Sequence, residues 1–295
     1  NTMIHRIFFL LLFLMWLPDA YIYFQFVKPC VSRRRWVRML WWLPSLVLTV
    51  SLICLMFGDN FTSMRVMLTG VYMVTFLTIT VPKCLFVIFS LLGKTFSQIG
   101  KIPMLGILFK WPIERVFNIV GIVVACAGAY IILYGFLYGW RRYEVKEVTF
   151  NHPDIPEALD GYRIVQISDF HLGTIARYPD DIQRAVNLIN AQEPDLIAFT
   201  GDLVNNEATE LNVSEEILSK LHARDGVFSV LGNHDYGTYR RWPSNRARVE
   251  NLNDLKRRQI LMGWQLLLNE NKIVKRGNDS IAVVGVENDG KPPFP

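Results

Sequence analysis

Three short stretches of the sequence combine side chains able to hold metal ions and to move protons. They are Asp169-Phe170-His171, Gly201-Asp202-Leu203-Val204-Asn205 and Gly232-Asn233-His234-Asp235, about thirty residues apart. Asp169 and His171 place a carboxylate and an imidazole on one short turn, Asp202 adds a second carboxylate, and Asn233 adds a neutral amide oxygen. Mixed nitrogen and oxygen donors of this kind suit first-row divalent ions such as Mn, Fe or Zn better than Ca or a thiolate-bound structural zinc. Two such ions about 3.5 to 4 Å apart, bridged by one carboxylate, can polarise a phosphoryl group and lower the pKa of water. The chemistry in prospect is phosphoester hydrolysis.

The surrounding elements must bring the three stretches together. Each follows a short apolar run that reads as a strand: Arg163 to Ser168, Leu196 to Thr200 and Val227 to Leu231. Helix-period segments, Asp180 to Ala191 and Ser214 to His222, separate the strands. Upstream, Tyr143 to Phe150 alternates like a further strand before the Pro153/Pro156 connector, and Ile281 to Val286 reads as a later one. In α/β sheets ligand sites gather at the carboxyl ends of strands, so three such ends can converge on one site.

In this order and spacing, the three stretches resemble the first three motifs of the calcineurin-like metallophosphoesterase superfamily. The phrase Ile167-Ser168-Asp169-Phe170-His171-Leu172-Gly173 is similar to its bacterial membrane-anchored branch. The resemblance covers roughly Tyr143 to Pro295 and implies an α/β metallophosphoesterase fold, a β-sandwich flanked by helices. It also implies a cofactor of two divalent metal ions. Asp169 and His171 would bind the first, Asp202 would bridge both, and Asn233 would bind the second. His234 would lie beside the substrate as the group that stabilises phosphoryl oxygens or protonates the leaving group. Many phosphatases of the superfamily carry Asp where Asn205 stands; the neutral amide can orient His234 but stabilises its cation less. Asp235 is expected to support its loop rather than bind metal.

Family members usually add a lone His and a Gly-His-x-His motif further along, whereas this sequence has no histidine after His234. The expectation is a C-terminally truncated fragment, lacking three imidazole ligands that a longer parent chain would supply. His152 and His222 lie outside the motifs and read as solvated. The basic stretch Arg240, Arg241, Arg246, Arg248, Lys256, Arg257 and Arg258 reads as a charged helix face rather than a recognition surface.

The other half of the chain is different in kind. Of the 295 residues 51% are hydrophobic and 19% charged, and residues 1 to 150 carry 15 Lys/Arg against 5 Asp/Glu where 151 to 295 carry 16 against 21. The net +5 is therefore a sum of +10 and −5, which excludes a uniform soluble globule and argues against nucleic-acid binding by overall basicity. Apolar runs near 7–27, 39–57, 66–92 and 116–140 predict a transmembrane helical bundle of about four spans within residues 1–142, followed by the phosphoesterase domain in 143–295. Pro82 is expected to kink or end the third span. Asp19, beside Pro18, reads as a break near the membrane interface rather than as a functional intramembrane charge. Gly121, Ala125 and Ala129 recur every four residues and suit close packing inside the bundle.

Loops after spans one and three hold Lys28, Arg33, Arg34, Arg35, Arg38, Lys94, Lys101, Lys110 and Arg115, against Arg6, Arg65, Arg141, Arg142 and Lys146 on the other side. That bias, nine to five, favours a second half of the chain outside the cytoplasm, and the resemblance implies a bacterial inner membrane. Four cysteines, all in the first half and mostly in or beside apolar runs, argue against a disulfide framework. Two readings of function follow. One is a membrane-anchored, metal-dependent phosphohydrolase that cleaves phosphomonoester, phosphodiester or pyrophosphate bonds in a phosphorylated small molecule or lipid-linked substrate, with membrane lipid as its other partner. The alternative is a signalling or transport protein whose phosphoesterase-like domain binds ligand without turnover.

Overall fold

A computed structural model describes residues 2–31, 35–57, 63–100 and 112–288, and the chain divides into two compact units, Asn1–Arg142 and Tyr143–Pro295. The first holds four helices long and apolar enough to cross a membrane: Arg6–Cys30, Arg35–Met56, Leu68–Ile99 and Ile113–Leu137. They are apolar on nearly every face, and most of their large side chains, among them Phe13, Leu46, Ile88 and Ile131, are exposed. A helix apolar all round needs a buried or lipid environment. The multi-pass membrane character follows from this. A small interior of Met15, Leu48, Leu52, Tyr72 and Phe76 joins the first three spans. Arg33, Arg34, Lys101 and Lys110 lie outside the described residues.

Two expectations about the spans change and one holds. The first helix runs through Pro18 from Thr2 to Ile22 and continues as a π-helical turn, Tyr23–Val27, and a short α-helical one, Lys28–Cys30. Asp19 therefore marks no break. It is fully buried midway along its helix, accepts a hydrogen bond from the Ser45 hydroxyl, and sits 2.6 Å from Lys83 Nζ of the third span. Two opposite charges shielded from lipid by each other explain how a carboxylate persists there. The third helix also continues through its proline, from Ser63 to Ile99 with Pro82 inside. Pro82 removes one intrahelical donor, a loss that packed neighbours make tolerable in a membrane helix. Gly121 of the fourth span is buried against the third, where an added Cβ would fall 2.9 Å from the Phe89 Cβ. The small residue thus serves packing within the bundle.

The second unit is built on a parallel sheet in the order β1-β2-β3-β4, formed by Ile164–Ile167, Leu196–Phe199, Val227–Ser229 and Gln265–Leu266. Register aligns Ile167 with Phe199 and Phe199 with Ser229, so the three strands stop on one line. Alternation along the strands then separates two cores. Ile197, Phe199 and Val227 face the helix Pro179–Asn190 and the helix Asn245–Leu261 through Ile182, Val186 and Leu255. Leu196 and Phe228 point the other way, against Leu267, Val274, Ile281 and Val283. Val274 belongs to β5, Glu270–Arg276, and Ile281 and Val283 to β6, Asp279–Gly285, an antiparallel hairpin that covers this second face. The α/β domain expected from the motifs is thereby present, with a second layer of strands opposite the helices.

Two local expectations fail. Tyr143 to Phe150 pairs with no strand among the described residues, and Val148 and Phe150 stand exposed. Alternation supplies a face, but a strand also needs an adjacent backbone with free donors and acceptors. The segment Ser214 to His222 forms only one helical turn, Glu215–Leu218, because Leu218 and Leu221 reach the core from a short connection.

Candidate metal centre

The aligned strand ends release their polar residues on one edge of the sheet. Main-chain hydrogen bonds lock the first two loops together: Asp169 N–H donates to Gly201 O at 3.0 Å, His171 N–H to Asp202 O at 3.1 Å, and Leu172 N–H to Leu203 O at 3.1 Å. Three non-glycine residues here adopt left-handed backbone conformations, Asp169 at φ 58°, His171 at 46° and Asp202 at 59°. Such conformations are uncommon away from glycine and cluster where surrounding structure over-determines them, often at sites that do chemistry. The strain turns successive side chains toward one point instead of alternating them.

Glycines make the close approach feasible. Gly201 has φ 105°, and a Cβ there would lie 2.4 Å from Gly232 N and 2.6 Å from Gly232 Cα. Gly201→Ala is accordingly expected to lower the unfolding free energy by about 3 kcal/mol, in the upper range for point substitutions. A urea unfolding midpoint unchanged by the substitution would refute the tight contact between the two loops.

Ligand-capable atoms of His171, Asp202 and His234 all lie within 4.8 Å of one another. His171 Nε2 is 3.4 Å from Asp169 Oδ1 and 3.7 Å from Asp202 Oδ2. Donor atoms bonded at about 2.0 to 2.2 Å to a common first-row ion sit roughly 3 to 4 Å apart, and these separations match. The donor set of imidazole and carboxylate also fits such an ion rather than Ca. Asp202 Oδ1 accepts the His234 main-chain N–H at 2.9 Å, which ties the second loop to the third. Asn233 Nδ2 donates to the Tyr239 hydroxyl at 2.8 Å.

His234 is held on three sides. Its Nδ1 lies 2.9 Å from the Asn205 carbonyl, so that nitrogen carries the proton and Nε2 is left available. The His171 ring meets it edge-on at 4.7 Å and the Tyr239 ring stacks on it at 4.5 Å. The expectation had the Asn205 side chain orient His234. The geometry gives that task to the Asn205 main-chain carbonyl, while the side-chain amide donates to Thr174 Oγ1 at 3.0 Å.

Asp235 is fully buried and accepts from the main-chain N–H groups of Asp202, Val204 and Gly232 at 2.9, 3.1 and 2.9 Å. It binds the second loop to the third from beneath. Burial pushes its carboxyl up to about 6, against the opposing pull of those N–H donors. Glu210, which drew no notice in the sequence, performs the same service for the first two loops, accepting from the N–H groups of Gly173, Asn206 and Glu207 at 2.9, 3.1 and 3.1 Å and from that of Asn205. Burial raises its pKa too, again opposed by the backbone donors. The spacing Glu207-x-x-Glu210, a capping box at the start of a 3₁₀ turn, was its only signal. Tyr239 was missed as well.

The remaining candidates fall away from the cluster. His152 pairs with Asp154 and stacks beside Phe150, and exposed His222 approaches the Lys220 carbonyl. Much of the basic stretch is neutralised by carboxylates: Arg240 by Glu207, Arg246 by Glu250, Arg257 by Asp254, and Arg258 by Asp254 and Glu215.

With this geometry in view, comparison with known proteins is decisive. Residues 162–286 match the family model described as calcineurin-like phosphoesterase, and residues 5–140 match that of its probable transmembrane domain. The chain carries a calcineurin-like phosphoesterase domain. Among relatives of this phosphoesterase, an uncharacterized metallophosphoesterase of Bacillus subtilis, YkuE, is 39% identical over 110 residues, covering 35% of this chain and 38% of its own. A transmembrane protein with metallophosphoesterase domain from Danio rerio is 34% identical over 111 residues, 37% of this chain and 25% of its own. The UDP-2,3-diacylglucosamine pyrophosphatase of Chlamydia trachomatis is 41% identical over 97 residues, 32% of this chain and 29% of its own. The match thus spans well under half the length of each of these relatives. No solved structure matched the phosphoesterase significantly. The family uses divalent metals, and the His/Asp cluster lies within the family-matched residues.

Proposed function

We propose that this phosphoesterase is a membrane-anchored hydrolase that cleaves a phosphomonoester, phosphodiester or pyrophosphate bond with the help of two divalent ions, Mn, Fe or Zn. The observation that carries the reading is the convergence of His171, Asp202 and His234 within 4.8 Å at three aligned strand ends. Asp169, His171 and Asp202 would hold one ion and Asp202 and Asn233 the other. Such ions supply Lewis-acid charge to a phosphoryl group and lower the pKa of water. The residues of the chain do the rest. Asp235 and Glu210 hold the loops in register, and the Asn205 carbonyl fixes the ring of His234 so that Nε2 can carry a proton to the leaving oxygen.

The four candidate spans support a lipid-linked, phosphorylated substrate of the cell envelope, and the loop charges favour a domain on the extracytoplasmic side of a bacterial inner membrane. A relative named for pyrophosphatase action on a diacylated sugar nucleotide supports a bond of this class. The intact membrane protein, assayed with an aryl phosphate and with a lipid-linked pyrophosphate, is expected to need divalent metal. Chelation should reduce turnover to background and added Mn²⁺ should restore it. Tight ligand binding with no turnover under any metal would instead favour the signalling or transport reading. A reporter fused after Arg142 that is active only in the cytoplasm would overturn the sidedness.

A further inference from the structure

Tyr239 sits outside the three motifs yet touches two of their residues. Gly237 turns the chain after His234, with φ 64° and its N–H donating to the His234 carbonyl at 2.9 Å. The Gly237 carbonyl accepts the Trp242 indole N–H at 2.7 Å, which pins the turn from the other end. A Cβ on Gly237 would stand 3.0 Å from the Asn206 carbonyl, so the turn is pressed against the second loop. This folding carries Tyr239 back over the site. Its hydroxyl accepts from Asn233 Nδ2 at 2.8 Å, and its ring lies on the His234 imidazole at 4.5 Å and 27°.

A carboxamide binds a metal only through oxygen, because its nitrogen has no lone pair to give. An Asn ligand must therefore have its NH₂ end anchored elsewhere, or half of its orientations present hydrogens to the ion. The Tyr239 hydroxyl meets the NH₂ end, which leaves Oδ1 at the opposite end of the amide. We infer that Tyr239 is a positioning residue that sets the orientation of Asn233 for metal binding and the plane of the His234 ring. The inference rests on the metal-centre reading above and assigns to a residue outside the motifs the state of one ligand. Partners of this kind, one bond removed from the ion, typically change metal affinity by about 10- to 100-fold when removed.

The experiment is Mn²⁺ binding to the full chain in detergent, read as free Mn²⁺ by electron paramagnetic resonance, for four proteins: wild type, Tyr239→Phe, Asn233→Asp and the double variant. Tyr239→Phe keeps the stacked ring and removes only the hydroxyl of a side chain that is 39% exposed, so folding should survive. It is expected to weaken one of two Mn²⁺ equivalents by about 10-fold or more and to leave the other unchanged. A carboxylate presents oxygen whichever way it faces. Tyr239→Phe should therefore cost nothing in the Asn233→Asp background, and that loss of effect is the signature of orientation. Unchanged Mn²⁺ binding in Tyr239→Phe, equal weakening of both equivalents, or the same loss in both backgrounds would overturn the inference while leaving the metal centre standing. A wild-type protein that binds no Mn²⁺ would overturn both.

Discussion

Asp202→Asn is expected to lower turnover of an aryl phosphate in the presence of Mn²⁺ by at least ~10³-fold, the scale seen when a preorganised charge-stabilising group is lost. The residue is 8% exposed and held at φ 59°, with Oδ1 accepting the His234 N–H and Oδ2 3.7 Å from His171 Nε2. Asparagine retains an oxygen for the His234 N–H and nearly the same shape, so the loops should stay in register. What it removes is the negative charge proposed to be shared between two ions. The thermal midpoint should accordingly move by no more than about 2 to 4 °C. Asp202→Ala makes the complementary point, since it also strips the His234 N–H of its acceptor and should lower both turnover and stability. Turnover of Asp202→Asn above a tenth of the wild-type rate would sink the proposed mechanism.

The second large effect belongs to the membrane unit. Asp19→Ala leaves Lys83 without its counter-charge, and Lys83→Met leaves a fully buried carboxylate with only the Ser45 hydroxyl. Breaking a buried pair by removing one partner costs about 3 to 5 kcal/mol, whereas replacing both partners with apolar residues is often neutral. Each single variant should therefore unfold in denaturing detergent well before the wild type. The double variant Asp19→Leu with Lys83→Met should recover most of the loss. If the double variant were as unstable as the sum of the singles, the two side chains would not be coupled, and the bundle would be held by packing alone. Lys83 also lies over the Trp41 ring at 5.4 Å, while the Trp41 indole N–H donates to the Asp19 carbonyl at 3.2 Å. This one cluster therefore joins three spans.

The site was largely readable because its signals are local. An apolar strand followed at once by Asp-x-His, Gly-Asp or Gly-Asn-His-Asp carries in adjacent residues both the element and what the element presents. Parallel register then needs only to line up the ends. The spans were readable for a similar reason: a run of about 20 apolar residues is a property of one segment. The hairpin β5–β6 was half missed because Lys272 and Arg276 share the face of the buried Val274 while the apolar Ile273 is exposed, so the strand shows no apolar alternation. Tyr143 to Phe150 failed the other way, having the alternation of a strand but pairing with no strand among the described residues.

By itself, then, the sequence determined what could be written in neighbouring residues. It placed the division into a basic membrane half and an acidic α/β half, the strand ends, and the side chains offered for metal. Tertiary structure decided which distant groups meet. It put Lys83 on Asp19 across 64 positions. It gave His234 the carbonyl rather than the amide of Asn205, set the buried Asp235 and the partly buried Glu210 as acceptors for seven main-chain N–H groups, and folded Tyr239 back onto Asn233. The physical reason is common to all of these. Hydrogen bonds and ion pairs in a desolvated setting depend on distance and angle, and those are set by packing rather than by separation along the chain.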